Sequence, residues 1–160
     1  MADPQPVPAE IEDYLIGLGA RAGEIGGAVG GIAAGAIAGP GARMGASRGG
    51  ARGGARGAAR LQTKVEERAG NLPGTADEAV ARLTAAFPRA QPLPGGRGVR
   101  IAVPVGLAGL QQIVLDAEFV PASDASVHVR LRGFGKEGLI NRKPTRTVTD
   151  QAWAAILAAG

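Results

Sequence analysis

Residues 19–57 read GARAGEIGGAVGGIAAGAIAGPGARMGASRGGARGGARG. Glycine recurs at every fourth position in this stretch, from Gly19 to Gly39 and again from Gly41 to Gly57, with Pro40 between the two series. Residues four apart share one face of an α-helix, so each series predicts a helix with a glycine stripe. The two series are mirror images about Pro40. A chain that folds back there places glycine against glycine, with its two backbones closer than larger side chains permit.

The sequence therefore predicts an antiparallel helical hairpin over residues 10–69 that turns at Pro40, preceded by a flexible, proline-rich lead-in at residues 1–9. Each interior glycine weakens an isolated helix by roughly 1 kcal/mol relative to alanine, so the arms depend on packing against each other. The packing glycines are expected to lie equidistant from Pro40, in the pairs Gly23 with Gly57, Gly27 with Gly53, Gly31 with Gly49 and Gly35 with Gly45.

The repeated Gly-x-x-x-Gly of residues 19–57 resembles the glycine-zipper helical hairpins of bacterial membrane-associated proteins. This resemblance implies close helix packing and proximity to a membrane. Residues 25–42 carry no charge over 18 positions, which reaches the length of a membrane span. Hairpins of that group are apolar in both arms, whereas the second arm here carries arginines.

Charge is distributed unevenly between the two arms. Residues 1–41 contain five carboxylates and one arginine, whereas residues 42–70 contain seven basic residues and two glutamates. This asymmetry predicts ion pairs between the arms, and the mirror about Pro40 places Glu24 opposite Arg56 and Glu12 opposite Arg68. Basic residues four apart also form a ridge, predicted to bind anions, at Arg48, Arg52, Arg56, Arg60 and Lys64, with Arg68 continuing it.

The basic ridge is compatible with two anionic partners. An anionic membrane surface is favoured, because each basic residue near such a surface contributes about 1 kcal/mol and the adjacent first arm is apolar. Nucleic acid is the alternative, since the Arg-Gly-Gly triplets at Arg48 and Arg52 resemble the arginine-glycine arms of RNA-binding proteins. Those arms interleave aromatic residues, and none lies between Tyr14 and Phe87.

Residues 74–160 are predicted to form a compact α+β domain of order α-β-β-β-(β)-α, with helices on one face of an antiparallel sheet. Thr75 and Glu78 form a capping box that opens a helix over residues 76–87. The strands are expected at residues 99–105, 113–119 and 127–132, with a short fourth strand near Leu139 and Ile140. Opposite charges on the second and third strands favour their antiparallel pairing. Thr147 and Asp150 are expected to open the last helix.

One face of this sheet offers a candidate catalytic site. His128, Arg130 and Arg132 share a face with Glu118, so His128 and Glu118 are candidates to exchange protons in a ribonuclease-like hydrolase. The alternative is a charged outer face of the kind that most antiparallel sheets have. The chain has no cysteine and a single histidine, which excludes disulfides and thiolate metal sites, and neither a metal nor a cofactor is expected.

The favoured function is that of a non-catalytic, self-associating, membrane-proximal scaffold whose C-terminal domain binds an unidentified protein partner. A homo-oligomer is expected because a stripe of small residues that is left uncovered can pack against the same stripe of a second copy. No secretory signal peptide is recognisable, so the expected location is the cytoplasm, at the inner face of the membrane. The alternatives are nucleic-acid binding through the basic arm and a small hydrolase that uses the C-terminal sheet face.

Overall fold

The computed structural model describes residues 6–38, 40–93, 96–106, 111–123, 125–137 and 143–158, with only the helical backbone at residues 29–38 and 40–45. Within these residues the chain forms four helices and an antiparallel sheet of five strands, so the predicted α+β class is confirmed. The chain divides into two compact units. A helical unit comprises Gln5–Thr63 with Pro104–Gln112, and a sheet unit comprises Lys64–Val103 and Ile113–Gly160.

The helical unit contains the hairpin that the glycine spacing predicts. Helix α1 (Ala9–Ala38) is followed by helix α2 (Pro40–Arg60), which runs back along it. Gly19 of α1 lies against Gly54 and Ala58, near the C-terminal end of α2. Pro40 is the first residue of α2, where its fixed φ suits the first helical turn and no backbone N–H is needed.

Helix α2 is shorter than the predicted second arm. It ends at Arg60, and residues Thr63–Pro73 form strand β1. The expectation that Lys64 and Arg68 continue the helical ridge is therefore wrong. Arg68 instead donates from Nε to Oδ1 of Asp150 at 2.9 Å, within the sheet unit. The boundary between hairpin and sheet thus differs from the predicted one, and β1 starts within the range assigned to the hairpin.

Four further strands complete the sheet, in the spatial order β1-β5-β4-β3-β2. They are β2 (Gln91–Pro92), β3 (Gly98–Val105), β4 (Gln111–Ser123) and β5 (Ser126–Lys136). The predicted antiparallel pairing of β4 with β5 is confirmed. β1 and β2 were not predicted, so the helix that was expected to open this domain follows a strand instead. The fourth strand expected near Leu139 and Ile140 lies outside the described residues.

Two helices belong to the sheet unit. Helix α3 (Ala76–Ala86) begins at the predicted capping box, in which the Glu78 backbone N–H donates to Oγ1 of Thr75 at 3.3 Å. Helix α4 (Pro144–Leu157) begins three residues before its predicted cap. Thr147 therefore lies inside the helix, and its hydroxyl donates to the Lys143 carbonyl at 3.3 Å. Pro144 can start the helix because the first turn needs no backbone donor.

Helix α4 approaches strand β5 at two glycines. The buried hydroxyls of Thr149 and Thr145 lie directly over Gly133 and Gly135, closer than a Cβ on either glycine would permit. A Cβ at Gly133 would also lie 3.3 Å from Cδ2 of Leu115. The absence of side chains at these two positions therefore sets the distance between the helix and the sheet.

Replacing Gly133 with alanine is expected to destabilise the protein by about 1–3 kcal/mol, because the new methyl group overlaps Oγ1 of Thr149. Urea unfolding of Gly133→Ala, Thr149→Ala and the double variant measures the effect. The double variant is expected to recover most of the loss, because Thr149→Ala removes the overlapping atom. Additive losses in the double variant would show that the hydroxyl is not what excludes a side chain at Gly133.

Candidate functional site

One face of α2 packs against α1 through small residues. A Cβ at Gly50 would overlap the carbonyl oxygen of Gly23 and lie 3.1 Å from the Cα of Gly27. Gly23 and Gly27, both expected at the contact, therefore lie there. The residues of α2 that face Gly19, Gly23 and Gly27 are one helical turn apart and form a contact row: Ala46, Gly50, Gly54 and Ala58.

The predicted register between the two helices is wrong. Gly49, Gly53 and Gly57 have no atom within 4 Å of an added Cβ, so they do not contact α1. Gly23 lies against Gly50 and Gly54 rather than against Gly57. Gly31, Gly35 and Gly45 lie outside the residues whose packing the structure describes.

The position of the arginines explains this register. Arg48, Arg52 and Arg56 are each one residue before a member of a second glycine row (Gly49, Gly53 and Gly57, the Gly49 row), about 100° away around the helix. The same three arginines are two residues from members of the contact row, about 200° away. Packing through the Gly49 row would turn the arginines toward α1. Packing through Gly50 and Gly54 turns them to water instead.

The arginines form a separate row on the face of α2 that points away from α1. The row rises about 6 Å per step, and all its members are exposed: Arg48, Arg52, Arg56 and Arg60. None of them makes an ion pair or hydrogen bond with a described residue. The structure thus brings together four of the five predicted anion-binding residues, and it places the fifth, Lys64, on strand β1.

The predicted ion pairs between the hairpin arms are not formed. Glu24 is exposed and makes no ion pair with a described residue, so it does not neutralise Arg56. Glu12 accepts a hydrogen bond from the Thr63 hydroxyl, while Arg68 binds Asp150. The shifted register accounts for the difference, because the mirror about Pro40 no longer describes which residues face each other.

The outer surface of α2 is unusual in its composition. Between residues 48 and 60, the exposed positions hold only arginine, glycine and alanine. The row of arginines therefore runs beside bare backbone at Gly49, Gly53 and Gly57, and the first exposed large apolar side chain after it is Leu61. We call this surface the arginine face: residues 48, 49, 52, 53, 56, 57, 59 and 60.

The second candidate surface is the sheet face that carries His128. Nδ1 of His128 lies 2.8 Å from Oδ1 of Asn71 on β1. Arg130 donates from Nε and Nη2 to both carboxylate oxygens of Glu67, each at 3.1 Å. This hydrogen bonding raises the pKa of Arg130, although partial burial opposes the shift. Both contacts link β5 to β1.

The predicted proton-exchanging pair is not assembled on this face. Glu118 lies opposite Arg130 in the β4–β5 register and accepts a hydrogen bond from Nη2 of Arg132 at 3.3 Å. His128 lies opposite Val120 and is held by Asn71. His128 and Glu118 therefore have separate partners, and the arrangement matches the alternative of a charged outer face.

The sequence analysis did not identify Glu67, Asn71 and Arg100 as hydrogen-bonding residues of the sheet. Arg100 on β3 donates to Asp116 on β4, from Nε at 2.7 Å and from Nη2 at 2.8 Å. Glu67 and Asn71 were missed because β1 was not recognised. The signal that favours a strand there is the pair of β-branched residues Thr63 and Val65, which follow the last glycine of the series.

The described part of the chain has neither a membrane-spanning helix nor a cluster of metal ligands. No helix there is long and apolar enough to cross a membrane, the uncharged stretch of α1 included. The same residues contain no cluster of three or more histidine, aspartate or glutamate side chains suited to a metal ion. Compared with known proteins, the chain matches no family model and no curated protein.

Proposed function

We propose that the protein acts by binding rather than by catalysis, and that it holds the phosphate groups of a nucleic acid with the arginine face of α2. One observation carries the proposal: four exposed arginines stand one helical turn apart, without ion-pair partners among the described residues. A guanidinium group donates two parallel N–H bonds to a phosphate, which makes arginine well suited to this contact.

The composition of the arginine face favours nucleic acid over the membrane surface predicted from the sequence. Four basic residues contribute about 4 kcal/mol at an anionic membrane, and stable anchoring needs a second, apolar or lipid signal. The exposed positions from 48 to 60 supply no such side chain. Charge neutralisation alone, in contrast, supplies essentially all of the non-specific affinity for nucleic acid.

The hairpin gives the arginine row its rigidity. Helix α2 has glycine at six of its positions between 45 and 57, so its sequence alone does not sustain a helix in water. Backbone contact with α1 at Gly50 and Gly54 supports the helix and fixes the direction of the arginines. Self-association and a protein partner for the sheet unit stay predictions.

Neutralising two central arginines tests the proposal. With four phosphate contacts to B-form DNA, log K is expected to fall with log[salt] at a slope of about −3.6, which is about a 150-fold loss from 50 to 200 mM salt. Arg52→Gln/Arg56→Gln is expected to reduce the slope by about 1.8. Fluorescence anisotropy with a labelled duplex measures both values.

A charge-matched control separates the arginine face from overall charge. Arg89 and Arg97 are exposed and belong to the sheet unit, so Arg89→Gln/Arg97→Gln removes the same charge without changing α2. This control is expected to retain the original slope. Equal losses in the two double variants would overturn the proposal. Binding to anionic vesicles in the absence of nucleic-acid binding would also overturn it, in favour of the membrane surface.

A further inference from the structure

We infer, on the basis of the proposed function, that the ligand of the arginine face is double-stranded DNA, with α2 seated in the major groove. The inference rests on the shape of the face, on the directions of its arginines and on the side chains that it exposes. The charge of the face does not distinguish one nucleic acid from another, whereas its shape, the directions of its arginines and its exposed side chains do.

The first property is the narrowness of the helix. An ordinary α-helix with its side chains is about 10–12 Å wide, close to the width of about 12 Å of the major groove of B-form DNA. Beside the arginines, α2 exposes the bare backbone of Gly49, Gly53 and Gly57, with open space at each. The helix is therefore thinner than usual on the side that faces solvent, and it can sit deep between the groove walls.

The second property is the winding of the arginine row. Residues four apart advance about 40° around a helix of 3.6 residues per turn, so Arg48 and Arg60 point about 120° apart over a rise of about 18 Å. A flat surface can contact only some of these arginines at the same time. A groove has a phosphate wall on each side, so arginines at the two ends can contact opposite strands while the helix lies between them.

The third property is the absence of other recognition groups. Proteins that bind single strands stack bases on aromatic side chains, and the exposed positions from 48 to 60 hold none. The major groove of A-form RNA is too deep and narrow for side chains to read, so a helix does not enter it as it enters B-form DNA. These two facts favour the DNA duplex over a single strand and over duplex RNA.

The first experiment compares three labelled ligands of equal length and mixed sequence, using the full chain: duplex DNA, single-stranded DNA and duplex RNA. At 50 mM salt, duplex DNA is expected to bind about tenfold more tightly than the single strand, because four contacts give slopes that differ by about 0.8. Duplex RNA is expected to bind more weakly than duplex DNA. Equal or tighter binding of either competitor overturns this inference and leaves nucleic-acid binding in place. Failure to bind any of the three overturns the proposed function itself.

The second experiment tests the seating of the helix. Gly53→Leu adds a bulky side chain between Arg52 and Arg56, where the structure leaves open space, and leucine strengthens the helix relative to glycine. The matched control is Gly26→Leu, since Gly26 is an exposed glycine of α1 with equally open surroundings.

Gly53→Leu is expected to weaken duplex binding by about tenfold at low salt, the loss of roughly one phosphate contact, while Gly26→Leu leaves the affinity unchanged. Circular dichroism establishes that both variants keep their helices. If a folded Gly53→Leu variant binds duplex DNA as tightly as the wild type, α2 does not enter the groove and the inference is overturned.

Discussion

Gly50→Ala is expected to destabilise the helical hairpin by about 3 kcal/mol, whereas Gly49→Ala, one residue earlier, is expected to stabilise it by up to about 1 kcal/mol. A methyl group at Gly50 overlaps the carbonyl oxygen of Gly23, which is backbone and cannot rotate away, so the two helices must separate. A methyl group at Gly49 meets nothing within 4 Å, so only the higher helix propensity of alanine remains.

Thermal unfolding followed by far-ultraviolet circular dichroism measures the two variants. For a unit of the size of the helical unit, 1 kcal/mol corresponds to about 4–8 °C in Tm, so Gly50→Ala is expected to lower the Tm of the hairpin by roughly 12–24 °C. The single tryptophan, Trp153, lies on α4 of the sheet unit, and its fluorescence reports that unit separately. Loss of stability in Gly49→Ala with none in Gly50→Ala would support the register predicted from the mirror about Pro40 and refute the one described above.

Arg100→Met is expected to destabilise the sheet unit by about 3–5 kcal/mol. The side chain of Asp116 is only 3% exposed and accepts two hydrogen bonds from the guanidinium of Arg100, so removing the arginine leaves a buried charge without its partner. Urea unfolding followed by Trp153 fluorescence measures the loss. Asp116→Asn in the Arg100→Met background is expected to recover part of it, because the uncompensated charge is then absent.

Arg130→Met is the matched control for this prediction. It removes the same kind of bidentate contact, but the partner Glu67 is 42% exposed and water can solvate the carboxylate after the substitution. Exposed pairs contribute about 0–1 kcal/mol, so a small loss is expected. Similar losses in Arg100→Met and Arg130→Met would mean that burial of Asp116 does not determine the strength of the pair.

The spacing of glycine was sufficient to predict the hairpin but not its register. The second arm contains two glycine rows, one through Gly49 and Gly53 and the other through Gly50 and Gly54. Both rows have mirror partners about Pro40, and the prediction used the first because its four-residue series is longer. Arginine decides between them, because it must stay in water while alanine fills the contact. Which row contacts α1 therefore depends on which side chains stay in water once the two helices are paired. The symmetry of the sequence carries no information about that.

Strand β1 was missed because its sequence continues an apparently helical pattern. Lys64 and Arg68 keep the four-residue spacing of the arginines on α2, yet they lie on a strand that pairs with β5. Sheet pairing is a tertiary interaction that overrides local spacing. The same omission hid Glu67, which is the hydrogen-bond partner of Arg130.

The charges of β4 and β5 predicted the pairing of those strands but not the partners of each side chain. Glu118 lies opposite Arg130 in the register, yet Arg130 binds Glu67 and Glu118 binds Arg132. Because β1 flanks β5, Arg130 lies between Glu67 on β1 and Glu118 on β4, and it binds Glu67. The partner of an arginine therefore depends on both strands beside it, and the sequence of one strand pair is not enough to predict it.

The contact of bare backbone between α1 and α2 also affects how the nascent chain folds on the ribosome. Ribosomes add about 5–20 residues each second, so Gly23 and Gly27 are synthesised seconds before Gly50 and Gly54. A glycine-rich arm without its partner does not hold a helix in water. The first arm is therefore expected to stay non-helical at first and to form its helix only after the second arm has been synthesised.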